Sequence, residues 1–394
     1  MHAASGAPHP DIPPALREGL SSSHLPGLDG LRAVAVGLVV LYHLGFQWVP
    51  GGHGVLVFFV LSGFLITWLL LRERERTGSI SLRRFYLRRA LRILPAFYCF
   101  WFGWTALVLL FDRPVVWGQA LSSFVFLNNY YQAAHGDPNT GYSHTWSLGI
   151  EEQFYLLWPV SLVVMGRRPR RIAAALAALI GFVWVYRVFL HFGLGVDQGY
   201  IYEAFETRAD HLAMGCLLAV LLRQGRPRRG WAALSTSWSS ILTVALFIVS
   251  ANLSHHLGTG YRNVMGFALD PLLVAILIAQ VIALRDSPLW RWLNWRWVAY
   301  LGTLSYSIYL YQQVVIGPVR SAFASYPLPV ELAAALAAVL LAAGASYHFV
   351  ERLFVRIKGR TSPRSAGRSI AAPVRAAPLP PRSVSVAGGH RGAP

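Results

Sequence analysis

The chain has 394 residues, of which 55% are hydrophobic and only 13% charged, where a soluble protein carries about a quarter charged residues. Its net charge of +18 comes almost wholly from arginine, Lys358 being the only lysine. The arginines gather in short loops between apolar runs, the pattern of membrane orientation rather than of nucleic-acid binding.

Residues 1–26 form a polar stretch without an apolar core. They are expected to be an N-terminal arm, not a signal peptide. Residues 27–356 hold ten apolar segments near the length of about 20 residues that a membrane crossing needs. They lie at about 31–49, 54–71, 94–111, 147–165, 172–190, 206–222, 235–251, 264–284, 298–317 and 329–350, with ends good to roughly four residues. With the N-terminus inside, the inner loops hold nineteen arginines and the outer loops three, Arg113, Arg262 and Arg320. That asymmetry places both termini in the cytoplasm. The expected fold is therefore an all-α integral membrane protein of about ten helices in the inner (cytoplasmic) membrane. Residues 357–394 are rich in Arg, Pro, Ala, Gly and Ser and contain no Asp or Glu. Such a composition buries no core, so a disordered, basic cytoplasmic tail is expected. Cys99 and Cys216 sit inside apolar runs and give neither a disulfide framework nor a CxxC metal pattern.

The first segment, LDGLRAVAVGLVVLYH, carries Arg32 and His43. Eleven residues return to nearly the same helix face and span about 16 Å. One face thus holds a cation near the cytoplasmic end and an imidazole toward the outside. Ionisable groups at such depth are functional candidates. The plainer alternatives are a snorkelling arginine and an interfacial histidine.

The basic stretch SLRRFYLRRALRILP, 81–95, reads as an amphipathic helix at the cytoplasmic interface, either for topology and lipid contact or as a clamp for a polyanion. HTWSLGIEEQFYLLWP, 144–159, enters from the outside and puts Glu151 and Glu152 at roughly the depth of His43. Glu151, Tyr155 and Trp158 share a face. A carboxylate that meets an imidazole is half of a general-base dyad, although a helix N-terminus alone accounts for one of the two glutamates. In TRADHLAMG, 207–215, Arg208 and Asp210 are expected to form a structural ion pair. Gly54 and Gly63 read as ordinary helix-packing positions. Glu351 is expected to pair with loop arginines. There is no GxSxG, HExxH, Walker A or CxxC pattern, and no metal is expected.

Taken together, the blocks LDGLRAVAVGLVVLYH, GVLVFFVLSGFLIT, RRFYLRRALRILPAFY, HTWSLGIEEQFYLLWP, LSYSIYLYQ and SYHFVERLF resemble, in order, those of acyltransferase family 3. These are bacterial membrane O-acyltransferases of surface polysaccharides, lipid-linked glycans and some antibiotics. The resemblance covers roughly residues 26 to 356. It implies that His43 is the catalytic base and that Glu151, rather than Glu152, is the acidic partner. It also implies that Arg32, Arg88, Arg89 and Arg92 hold acyl-CoA, with acetyl-CoA the expected donor. Ser62 and Gly63 match the second-helix block. Trp146, Tyr155, Tyr309 and Gln312 fall on the substrate side. One departure concerns Gln312, where the family often has histidine: glutamine can hydrogen-bond an acceptor but cannot shuttle a proton. The expected activity is transfer of an acyl group to a hydroxyl of a cell-surface carbohydrate or glycolipid, with membrane lipid as surroundings and no nucleic-acid partner. A transporter or flippase for an anionic glycan, using Arg32, Arg208 and Glu151, is the alternative.

Overall fold

In the computed structural model, residues 11–354 are described, apart from 23–24, 26 and 226–227. Among the described residues there are sixteen α-helices and no strand. The tail at 357–394 lies outside them.

Helix α1 (Pro14–Ser21) begins with a proline, which suits a first helical turn because its missing N–H has no partner there. Ile12, Leu16 and Leu20 recur at helical spacing and are at most 1% exposed. Part of the segment read as a polar arm therefore packs into the bundle. It is followed by α2 (Leu28–His43) and α3 (Gly51–Thr77). Ser81 caps α4 (Leu82–Leu110) by accepting from the Arg84 main-chain N–H at 3.4 Å. The basic stretch 81–95 and the apolar run after it, expected as two pieces, form this one helix. Pro95 lies inside it and removes a single backbone donor.

Two short helices, α5 (Trp117–Phe124) and α6 (Asn128–His135), precede α7 (Thr145–Val164). Helix α8 (Pro169–Val188) runs into a π-helical turn, Phe189–Gly193. Then α9 (Gln198–Glu203) and a 3-10 turn, Phe205–Thr207, lead into α10 (Ala209–Gln224). After α11 (Arg228–Leu234) and α12 (Ser237–His256), α13 (Gly258–Tyr261) passes through a second π turn into α14 (Phe267–Ala283). The chain ends in α15 (Arg296–Ala322) and α16 (Leu328–Ser346), the latter extended by a π turn, Tyr347–Glu351.

Ten of these helices fall on the ten expected segments: α2, α3, α4, α7, α8, α10, α12, α14, α15 and α16. Among the described residues, six stretches, built on α3, α4, α8, α12, α14 and α16, are long and apolar enough to cross a membrane. The others fall short for physical reasons. Helices α2 and α10 have 16 residues each, about 24 Å at 1.5 Å per residue against a hydrocarbon core of about 30 Å. Helices α7 and α15 are long enough but are interrupted by polar residues.

Helix α3 is the axis of the bundle and meets α10 at backbone distance. A methyl group built on Gly63 would lie 1.9 Å from the Leu212 carbonyl oxygen, and one on Gly215 would lie 1.9 Å from the Val60 oxygen. Only hydrogen fits at either position, which makes the packing role expected for Gly63 concrete. This contact sets the depth of α10 against α3. Gly215→Ala should therefore cost about 1–3 kcal/mol or more of stability through overpacking. Gly103→Ala, whose methyl would enter open space, should be neutral or slightly stabilising. Thermal unfolding of the two variants in detergent checks this; equal melting temperatures would contradict the close approach.

Candidate active site

Helices α2, α3, α4, α7 and α15 converge on two adjoining cavities. The inner one, ≈ 60 Å³, is bordered by Val55, Phe59, Ser147 and Tyr309. The larger one, ≈ 340 Å³, is bordered by Arg72, Arg89, Arg92, Glu152 and Tyr155. Arg32, Phe58, Ser62, Leu148, Glu151 and Tyr306 border both and form the common wall.

The wide cavity lies at the arginine-rich end of the bundle, where α3 ends and α4 begins. Arg89 from α4 makes a two-pronged ion pair with Glu152 of α7, Nη2 to Oε1 at 2.6 Å and Nε to Oε2 at 3.3 Å. Its guanidinium lies 3.0 Å above the centre of the Tyr155 ring. That geometry suits a planar cation and holds α4 against α7. Arg88 points elsewhere: it pairs with Glu73 at 3.0 Å, beside Arg84 at 3.5 Å, and borders neither cavity. Arg32 and Arg92 are electrostatic neighbours. Neither has a carboxylate within ion-pair range among the described residues. Glu151 and Glu351 act on them only at longer range, so two adjacent cations face one cavity with donors open to an anion.

Glu151 stands where the cavities meet. It accepts from the Ser62 hydroxyl at 3.1 Å and from the Tyr155 hydroxyl at 3.3 Å. It therefore shares a level with Arg32, not with His43, as the sequence had suggested. No hydrogen bond joins it to His43, which borders neither cavity. The His43 ring is oriented instead by its own helix, with Nδ1 2.8 Å from the Val39 carbonyl oxygen. A carbonyl only accepts, so Nδ1 carries the proton and Nε2 presents its lone pair.

The structure adds a residue that the sequence reading passed over. His144, just before α7, is an electrostatic neighbour of His43. It is 4% exposed. Its main-chain N–H and its Nδ1 both lie 3.0 Å from the amide oxygen of Gln313. Its Nε2 is buried without a partner. The Tyr309 hydroxyl donates to the His144 carbonyl at 2.9 Å, linking this imidazole to the rim of the inner cavity. A network of amides holds the segment: Asn128 donates to the Tyr142 carbonyl at 3.0 Å and the Thr145 hydroxyl at 2.9 Å, and Gln132 to the Ser143 carbonyl at 2.9 Å. The only hint in the sequence was the polar character of the 128–145 segment.

The remaining candidates surround this core. Trp146 packs against Phe59 and Tyr202, at ring distances of 6.2 and 5.1 Å. Gln312 is fully buried, and neither amide atom has a partner. Glu351 bonds Ser307 rather than a loop arginine. The expected Arg208–Asp210 pair does not form: Asp210 takes Arg187 of α8 at 2.7 Å and His211 at 2.8 Å. Residues 208 and 210 are two apart and diverge around the start of α10. Among the described residues no cluster of three or more His, Cys, Asp or Glu is placed to hold a metal ion.

A family model described as an acyltransferase domain matches residues 25–348. A putative peptidoglycan O-acetyltransferase of Bacillus subtilis, YrhL, is 35% identical over 350 residues, covering 84% of this chain and 54% of that protein. The peptidoglycan O-acetyltransferase OatA of Listeria monocytogenes is 34% identical over 325 residues, 75% of this chain and 50% of that protein. A putative O-acetyltransferase of Staphylococcus aureus is 32% identical over 364 residues, 84% and 57% respectively. The chain thus spans about half the length of these relatives. No solved structure matches it.

The Arg89–Glu152 pair generates a direct test of the site's electrostatics. Glu152→Gln or Arg89→Met alone leaves a partly buried charge without its partner and should destabilise by about 1.5–3 kcal/mol, whereas the double variant should recover much of the loss. A double-mutant cycle by thermal unfolding measures it. Additive losses would mean that the two side chains do not act as a pair.

Proposed function

Since the chain belongs to acyltransferase family 3, we propose that it is a membrane O-acetyltransferase that moves an acetyl group from acetyl-CoA to a hydroxyl of a cell-surface carbohydrate. The relatives named for peptidoglycan make a cell-wall glycan the first acceptor to try. The observation that carries the reading is the pair of adjoining cavities, with unpaired Arg32 and Arg92 at the wide end and Glu151 at the junction.

On this reading the helices cross the membrane ten times, with both ends in the cytoplasm. The asymmetry of nineteen arginines against three in the loops supports that orientation, and it opens the wide cavity to cytoplasmic donor. Arg32 and Arg92 hold the phosphates of the donor. Arg89 shapes the same wall through Tyr155, and Arg88, engaged by Glu73, contributes to the charge of the entrance. The pantetheine arm lies along the common wall, and the thioester reaches the inner cavity between Ser62, Ser147 and Tyr309. Beyond it, Tyr309 and His144 lead toward His43.

His43 takes the proton of the acceptor hydroxyl on Nε2 as the oxygen attacks the thioester carbonyl. A C–O bond forms, the C–S bond breaks, and the CoA thiolate leaves and is reprotonated. The sequence had assigned the orientation of His43 to Glu151. The Val39 carbonyl supplies it instead, and Glu151, with Ser62 and Tyr155, lines the donor's path at the junction of the two cavities. Trp146 and Gln312 line the acceptor's approach.

His43→Ala should lower acetyl transfer about 10²–10⁴-fold, the usual contribution of a general base, while acetyl-CoA still binds. Arg92→Met should raise the KM for acetyl-CoA roughly tenfold or more, the loss of a charged hydrogen bond of about 1.5–3 kcal/mol. Proteoliposomes given radiolabelled acetyl-CoA and an extract of host glycan and lipid provide both readouts at matched folded protein. No label from wild type, together with no acetyl-CoA binding, would return a glycan transporter to first place.

A further inference from the structure

Arg208 opens α10 and is 1% exposed. Its Nε and Nη1 are buried without a hydrogen-bond partner, and no carboxylate lies in ion-pair range among the described residues. The acids around it are engaged or too far away. Asp210 is taken by Arg187 and His211. Glu206 accepts from Tyr130 and Tyr200, and Asp270 is paired with His53. Glu203 interacts with Arg208 only at longer range. A second cation, Arg262, is nearby, its guanidinium 5.1 Å from the Tyr202 ring centre.

What Arg208 does touch is aromatic. Its guanidinium carbon lies 4.0 Å from the Phe267 ring centre, 4.9 Å from Tyr202, 5.8 Å from Phe59 and 6.0 Å from Trp146. Ring faces soften the burial of a cation but leave its N–H donors unsatisfied, and a buried ion is retained only where it is paired and hydrogen-bonded. Phe59 is also a wall of the inner cavity, and Trp146 precedes Ser147, another wall residue. The unpaired cation is therefore one side chain from the place where acyl transfer is proposed. It lies on the side of the bundle opposite the arginines of the donor cavity.

We propose that Arg208 is an anion subsite for the acceptor. It would bind an oxyanion, carboxylate or phosphate, carried by the saccharide to be acylated, and hold the sugar against Trp146 and Tyr202 while its hydroxyl reaches the inner cavity. The assignment of this anion to the acceptor rests on the acyltransferase reading. The site itself rests on the stranded cation.

The test uses the full chain in lipid nanodiscs and three labelled disaccharides alike except for one group: a terminal glucuronic acid, its methyl ester, and the neutral sugar as its phosphate. Wild type should bind one anionic probe, or both, at least about tenfold more tightly than the ester, and the stronger of the two identifies the oxyanion. Arg208→Met should bind all three alike, with acetyl-CoA binding unchanged. Arg208→Lys should keep part of the preference. Equal binding of the three probes by wild type, or a preference that survives in Arg208→Met, overturns the proposal. If Arg208→Met does not fold, the wild-type comparison and Arg208→Lys decide: a lysine variant that discriminates as fully as wild type also overturns it. Acetyl transfer is read in parallel. Discrimination without transfer to any acceptor would sink the enzyme reading and leave the anion site standing, whereas transfer without discrimination would do the reverse.

Discussion

A charge carried into an apolar bundle must find an opposite charge or a set of hydrogen-bond partners, and the rest of this structure follows from how each cation meets that demand. Arg187 is fully buried and engaged through both terminal nitrogens: it ties α8 to α10 through Asp210 and reaches the Thr207 and Phe267 carbonyls. Arg89 ties α4 to α7 through Glu152. Arg320 ties α15 to α16 through Glu331. These pairs are struts between neighbouring helices. Arg32, Arg92 and Arg208 have no such partner among the described residues, and each lies at or beside a cavity. The division between struts and open cations is what turns a packed bundle into one with a path for anionic ligands.

The same division explains the two adjacent glutamates. Neighbouring helix residues point about 100° apart, so one helix can send one carboxylate to a structural cation and the other to a cavity. Glu152 faces α4 and is consumed by Arg89. Glu151 faces α3 and accepts only from hydroxyls, those of Ser62 and Tyr155. A carboxylate bound by hydroxyls alone keeps a lone pair for an incoming group, as one clamped by a bidentate arginine does not. The preference for Glu151 came from a resemblance between sequences; the packing of α4 supplies its physical reason.

Much of the fold was legible because a helix is a local object. Ten helices stand on the ten apolar segments, and the cation of the first one faces a cavity together with Glu151. The pairings were not legible, because they depend on which helices become neighbours. Arg208 and Asp210 look like partners on paper, but Asp210 finds Arg187 on another helix and leaves Arg208 alone. The stretch 81–95 reads as a separate interfacial helix because its charge ends where the apolar run begins; the backbone nevertheless runs on through Pro95 as one helix. His144 escaped notice because the amides that fix its segment come from two helices far apart in the chain, Asn128 and Gln132 from α6 and Gln313 from α15.

The two imidazoles bear on how the chemistry is arranged. Carbonyl-type oxygens, of Val39 for His43 and of Gln313 for His144, receive Nδ1 in both rings. In each ring Nδ1 is then held as a donor, by a group that carries no charge. A carboxylate in that orienting role would have brought another charge to a region about 16 Å from the arginine end and would have needed a cation of its own. Orientation by carbonyls avoids that, and it leaves Glu151 free to stand at the cavity junction. The separation of the base from the carboxylate is thus a consequence of the same constraint that pairs the arginines: charge is kept where a counter-charge or a ligand can reach it, and neutral groups do the positioning elsewhere.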